Sequence, residues 1–133
     1  MSDNSLKNDI GVDIDKAAED LWSIAETHLN MLLGDGLFRE YSEEAYNWVR
    51  MIAELQIKMS MGDKSEKTKI SISYAKAGQM AFICKVKARA GDVVASAVDS
   101  VFELIIGLAS VVVEKALTAG MILLLGDIGE YLT

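Results

Sequence analysis

Residues 67–89 read KTKISISYAKAGQMAFICKVKAR, and the fold class turns on them. From Lys67 to Tyr74 the residues alternate, with Thr68, Ile70, Ile72 and Tyr74 set against Lys67, Lys69, Ser71 and Ser73. From Met80 to Arg89 they alternate again, with Met80, Phe82, Cys84, Val86 and Ala88 set against Ala81, Ile83, Lys85, Lys87 and Arg89. A period of two places each set on one side of a strand. Two such runs joined by Ala75-Lys76-Ala77-Gly78-Gln79 predict a β-hairpin over 67–89, with Gly78 supplying a positive φ at the turn. The inward side is expected to be Ile70, Ile72, Tyr74, Met80, Phe82, Cys84 and Val86. The outward side is expected to carry Lys67, Lys69, Ser71, Ser73, Lys85, Lys87 and Arg89. A lone hairpin is marginal in water, so it must rest on a helix or on a sister chain's strands.

Helical periodicity flanks this stretch on both sides. Upstream, Ile14, Ala17, Ala18, Leu21, Trp22, Ala25, Leu29, Leu32 and Leu33 recur at the helical period, after Asp13 as a capping residue. They predict a helix over 13–33, stopped by Gly34-Asp35-Gly36. A second helix is predicted over 42–61, capped by Ser42, with Ala45, Trp48, Val49, Ile52, Leu55 and Met59 along one side and Gly62-Asp63 as its terminator. The short connection makes the two an antiparallel pair. Downstream, Val93 to Val113 is apolar or small apart from a narrow polar stripe of Asp92, Ser96, Asp99, Glu103, Ser110 and Glu114. This predicts a long, largely buried helix over 92–118. Gly120 or Gly126 is expected to end it, leaving a short terminal element. Residues 1–11 read as a disordered lead, and residues 12–133 as one α+β domain, mostly helical.

Charge is segregated along the chain. Residues 64–91 hold seven cations (Lys64, Lys67, Lys69, Lys76, Lys85, Lys87 and Arg89) against Glu66 alone. The remainder is acidic enough to bring the formal net charge to −7. A basic island in an acidic chain implies a partner for the cations. That partner is either an external acidic or nucleic-acid surface, or the acidic helices of the same or a neighbouring subunit. Lys67, Lys69, Lys85, Lys87 and Arg89 are therefore the candidate partner-binding residues. No aromatic side chain interleaves them, so base stacking is not indicated. The negative net charge opposes long-range attraction to DNA.

The apolar fraction is 51%, and the most apolar stretch follows Gly91. That is more greasy surface than one small domain hides, so self-association is expected through Val94, Val98, Val101, Phe102, Ile105, Leu108 and Val112. Glu114 and Lys115 interrupt the apolar run before it reaches the length of a membrane span, so no integral span is expected.

Signals of catalysis are weak. His28 is the only histidine and lacks an orienting carboxylate at helical spacing. Cys84 is the only cysteine, which rules out an internal disulfide, and its predicted inward placement makes it a small core residue. No phosphate loop, paired-histidine motif, paired-cysteine motif or serine elbow occurs. No cofactor and no metal site is expected. The single cysteine and the polar, acidic N-terminus point to the cytoplasm. The reading that follows is a non-enzymatic, homo-oligomeric binding protein that presents a basic face to an acidic or nucleic-acid-containing partner. Two rivals stand beside it. One is a small-molecule-binding or catalytic protein with an interface pocket built on carboxylates such as Glu26, Asp99 or Glu103. The other is a peripheral membrane protein docked through its C-terminal apolar segment.

Overall fold

The computed structural model describes residues 13–132, with side chains described over 13–116. The expectation for the lead, 1–11, lies outside the described residues. The described residues form three helices, with no strand among them. Helix α1 (Ile14–Ser60) begins at Asp13, whose carboxylate accepts from the Lys16 backbone N–H at 3.1 Å. At Gly34 the backbone turns to φ 79° and ψ 161°, a region essentially confined to glycine. The helix there folds back into two arms, 14–33 and 35–60. The predicted break is therefore real. The second arm, however, starts well before Ser42, because Leu37, Phe38 and Tyr41 already rest against the core.

Helix α2 (Glu66–Ala90) replaces the expected hairpin, so the fold is all-α rather than α+β. Three local features drive it. Ser65 caps the helix: its hydroxyl accepts from the Thr68 N–H at 3.3 Å. Asp63 adds to the cap, accepting from the Ser65 N–H at 3.1 Å and the Thr68 hydroxyl at 2.8 Å. The supposed turn Ala75-Lys76-Ala77 consists of good helix formers, and Gly78 does not adopt a positive φ. The decisive feature is a second periodicity hidden in the same letters. Thr68, Ala75, Gln79, Phe82 and Val86 are buried at helical spacing, with Ile72 half-buried between them. A helix buries Phe82 and Val86 against the bundle, whereas an isolated hairpin has no comparable surface to lie on. Gly91, at φ 92°, ends α2 and allows an immediate turn into the next helix.

Helix α3 (Asp92–Leu132) runs through Gly120 and Gly126, so the expected break and separate terminal element do not occur. Each glycine costs a helix only about 1 kcal/mol relative to alanine. The chain has no proline to force a stop.

Successive arms run antiparallel. Arg50 on the second arm of α1 reaches Asp15 and Glu19 on the first. Lys85 and Arg89 of α2 reach back to Glu44 and Glu40 of α1. Gln79 of α2 donates to Asp99 of α3 at 3.0 Å, and Phe82 meets Phe102 at 6.0 Å between ring centroids. Gln56 and Ser60 also meet Ser110, tying the second arm of α1 to α3. One continuous core joins all the arms, centred on Leu29, Val49, Ile57, Phe82, Phe102 and Ile105.

Candidate functional site

The basic island folds onto a single helix, and part of it is used inside the chain. Glu40 and Glu44 lie one helical turn apart on α1 and face Arg89 and Lys85 on the antiparallel α2. The two ion pairs measure 2.6 Å and 2.8 Å. Glu44 holds the Lys85 ammonium above its ordinary pKa through a hydrogen bond, and Glu40 does the same for the Arg89 guanidinium. Lys87 meets Asp92 at 3.4 Å across Gly91, and Lys69 meets Glu66 at 3.6 Å. Of the five cations expected to bind a partner, only Lys67 has no ion pair among the described residues. It is exposed, as is Lys76.

The change from hairpin to helix redistributes the expected inward face. Phe82 and Val86 are buried and Ile72 half-buried, as expected. Ile70, Tyr74 and Met80 instead stand 67%, 63% and 69% exposed. Cys84 is also exposed rather than part of the core. With Ala77, Ala81 and Ala88, also exposed, these residues form an outward apolar stripe along α2, bordered by lysines. The reason is geometric. Alternate residues share a strand face, but on a helix they lie 200° apart, so Ile72 points in while Ile70 and Tyr74 point out.

The residues expected at an oligomer interface divide in two. Val98, Val101, Phe102 and Ile105 are buried in the chain's own core, and Val94, Leu108 and Val112 are half-buried. Without opening the bundle, a sister chain reaches only the second group. Beside it lie exposed Val93, Leu104 and Val111, residues the sequence reading did not single out. A helix apolar around most of its circumference offers more residues than its buried side can take, so only the packing shows which of them remain outside.

A groove of about 800 Å³ opens between the arms of α1 and α2. Glu19, Tyr46 and Arg50 form its polar edge. Glu19 accepts from the Tyr46 hydroxyl in a short hydrogen bond and from Arg50 Nε at 2.7 Å. Arg50 also reaches Asp15 and Glu54, each at 3.2 Å. The Tyr46 bond, and then Arg50, hold the Glu19 carboxyl below its ordinary pKa, and the same bond raises the Tyr46 phenol. Trp48 and Tyr74, 5.6 Å apart, form the aromatic wall. No sequence motif announces this cluster, because its members come from three different arms.

The carboxylates of the rival reading do not form an acid–base pair. Asp99 binds Gln79, while Glu26 and Glu103 are exposed. His28 is exposed on the first arm. Among the described residues, no three His, Cys, Asp or Glu side chains gather closely enough to hold a metal ion. In comparisons with known proteins, no family model, no curated protein and no solved structure matches the chain.

Proposed function

We propose that the protein is a non-enzymatic homo-oligomer that works by binding, with the uncovered faces of α2 and α3 as its contact surfaces. One observation carries this reading. The most apolar 18-residue window within Asp92–Ala116 has a mean hydropathy of 1.9, yet 33% of its residues are buried inside the chain, and Leu104 and Val111 stand 41% and 39% exposed. Water-facing apolar area of this kind marks a contact surface. On α2 the exposed Ile70, Tyr74 and Met80 extend it, and the bordering lysines favour an acidic partner over a basic one. Nucleic acid fits less well, because four of the five candidate cations already hold carboxylates of this chain. Sedimentation velocity at micromolar concentration tests the reading. More than one copy per particle is the expected result, and a monomer throughout the concentration range overturns it.

Membrane association is the second reading, because Asp92–Ala116 is long and apolar enough, by length and composition, to cross a bilayer. Asp92, Asp99, Glu103 and Glu114 on the same helix weigh against it. Flotation with liposomes separates the two: a protein left wholly in the soluble fraction removes the membrane reading.

A further inference from the structure

Charge sorts the ways in which two copies can meet. Helices α2 and α3 are neighbours and form one side of the bundle. Helix α2 is basic, with Lys67, Lys69, Lys76, Lys85, Lys87 and Arg89 against Glu66, of which Lys85 and Arg89 turn to Glu44 and Glu40 of α1. The described part of α3 is acidic, with Asp92, Asp99, Glu103 and Glu114 against Lys115. A two-fold axis across the helices would lay α2 on its own copy and α3 on its own copy, setting like charges face to face. An axis parallel to the helices lays α2 of each chain on α3 of the other, setting opposite charges together. We infer that two copies pair in this second way, through the α2–α3 side. The inference rests on the self-association reading above and names its geometry.

A two-fold along the helices preserves height. The α2–α3 register inside one chain is therefore also the register between chains. The Gln79–Asp99 bond and the Phe82–Phe102 contact bracket that antiparallel register to within about two helical turns. Within that bracket Lys76 lies within reach of Glu103, and Ser73 and Tyr74 lie level with Gly107. Lys76 and Glu103 are both exposed, and neither has an ion-pair partner among the described residues. In the dimer each meets the other across the seam, twice by symmetry. Gly107 is the residue that lets the helices approach. A Cβ built there meets nothing within 4 Å in the single chain, so no internal contact requires a glycine at this helical position.

The area suits a stable pair. The 25 residues of α2 span about 37 Å at 1.5 Å per residue, and two adjacent helices are about 20 Å wide. That side offers roughly 700 Å² per partner, near the ~800 Å² of a standard interface. It borders Ile70 and Met80, which are otherwise exposed.

Charge reversal in trans provides the test, read by sedimentation equilibrium with far-UV circular dichroism confirming each fold. Lys76→Glu alone and Glu103→Lys alone each place like charges at both seams and weaken dimerisation by at least about tenfold. An equimolar mixture of the two variants restores opposite charges at both seams and recovers the dimer. Lys76→Gln and Glu103→Gln serve as milder versions should either reversal disturb the fold. A wild-type dimer that neither reversal weakens overturns the α2–α3 pairing while self-association stands. So do two weakened variants that fail to complement each other. A wild-type protein that is monomeric at every concentration removes both readings.

Discussion

Trp48 and Gly78 meet where α1 crosses α2. A Cβ on Gly78 would lie 2.2 Å from the Trp48 ring, closer than real atoms approach. The glycine therefore marks a ring seated against helix backbone, not a hairpin turn. Gly78→Ala gains up to about 1 kcal/mol of helix propensity but must displace a rigid indole, and overpacking of this kind costs about 1–3 kcal/mol. A net loss of roughly 1 kcal/mol is expected, together with a shift in tryptophan emission. A variant as stable as the parent with unchanged emission contradicts the close contact. The Glu19–Tyr46–Arg50 cluster has its own signature in pH. Glu19 and Asp63 titrate lower in the folded chain than unfolded, Asp63 because it accepts from the Ser65 N–H and the Thr68 hydroxyl. Their contribution is complete above the ordinary carboxylate values of 4.5 and 3.8 and is lost as the pH falls through the lower folded values. The thermal midpoint should hold from neutrality down to the ordinary carboxylate range and decline below it. Glu19→Gln should decline less steeply, and a curve identical to the parent's removes Glu19 from the effect.

Helix α2 is the element on which helix and hairpin make opposite demands of single side chains. In a hairpin Ile70 and Phe82 share the inward face, whereas in the helix Ile70 is 67% exposed and Phe82 fully buried. Ile70→Ser at a concentration where the chain is monomeric should change stability by no more than about 0.5 kcal/mol. Phe82→Ala should cost about 3–5 kcal/mol, because it empties a site packed between Tyr41 and Phe102. Equal losses at the two positions in chemical denaturation would favour the strand. The cations of α2 divide in the same way. Lys85→Glu with Arg89→Glu sets carboxylates against Glu44 and Glu40, so the thermal midpoint should drop. Lys64→Glu with Lys67→Glu makes the same change in net charge where the described residues offer no ion pair, and should leave the midpoint near that of the parent. If both pairs behave alike, the island is not serving the chain's own helices. Part of this was legible in the letters: Asp63 and Ser65 spell a helix cap, and Thr68, Ile72, Ala75, Gln79, Phe82 and Val86 carry the helical period. The alternation of lysines with apolar residues overlies that period, and nothing local ranks one above the other.

Across the whole molecule, the side made by α2 and α3 combines exposed apolar residues with opposite charge on adjacent helices, and that combination suits assembly. Several features of this design were determined by the sequence alone. Asp13 starts a helix, Gly34 breaks it and Gly91 ends one, because capping oxygens and left-handed backbone depend on residue type and immediate neighbours. The long apolar run after Gly91 and the basic island between acidic segments are equally properties of the letters. Tertiary structure tipped residues 66–90 to the helix that their caps allow, and it alone decided that Val98, Val101, Phe102 and Ile105 face inward and that Ile70, Tyr74, Met80 and Cys84 face water. It also brought Glu40 and Glu44 to Arg89 and Lys85, some forty to fifty residues away along the chain. The physical reason is that a short stretch with two competing periods has nearly equal local free energies in both conformations. Burial of Phe82 and Val86 against the partner arms, a term that no local window contains, tips the balance to the helix.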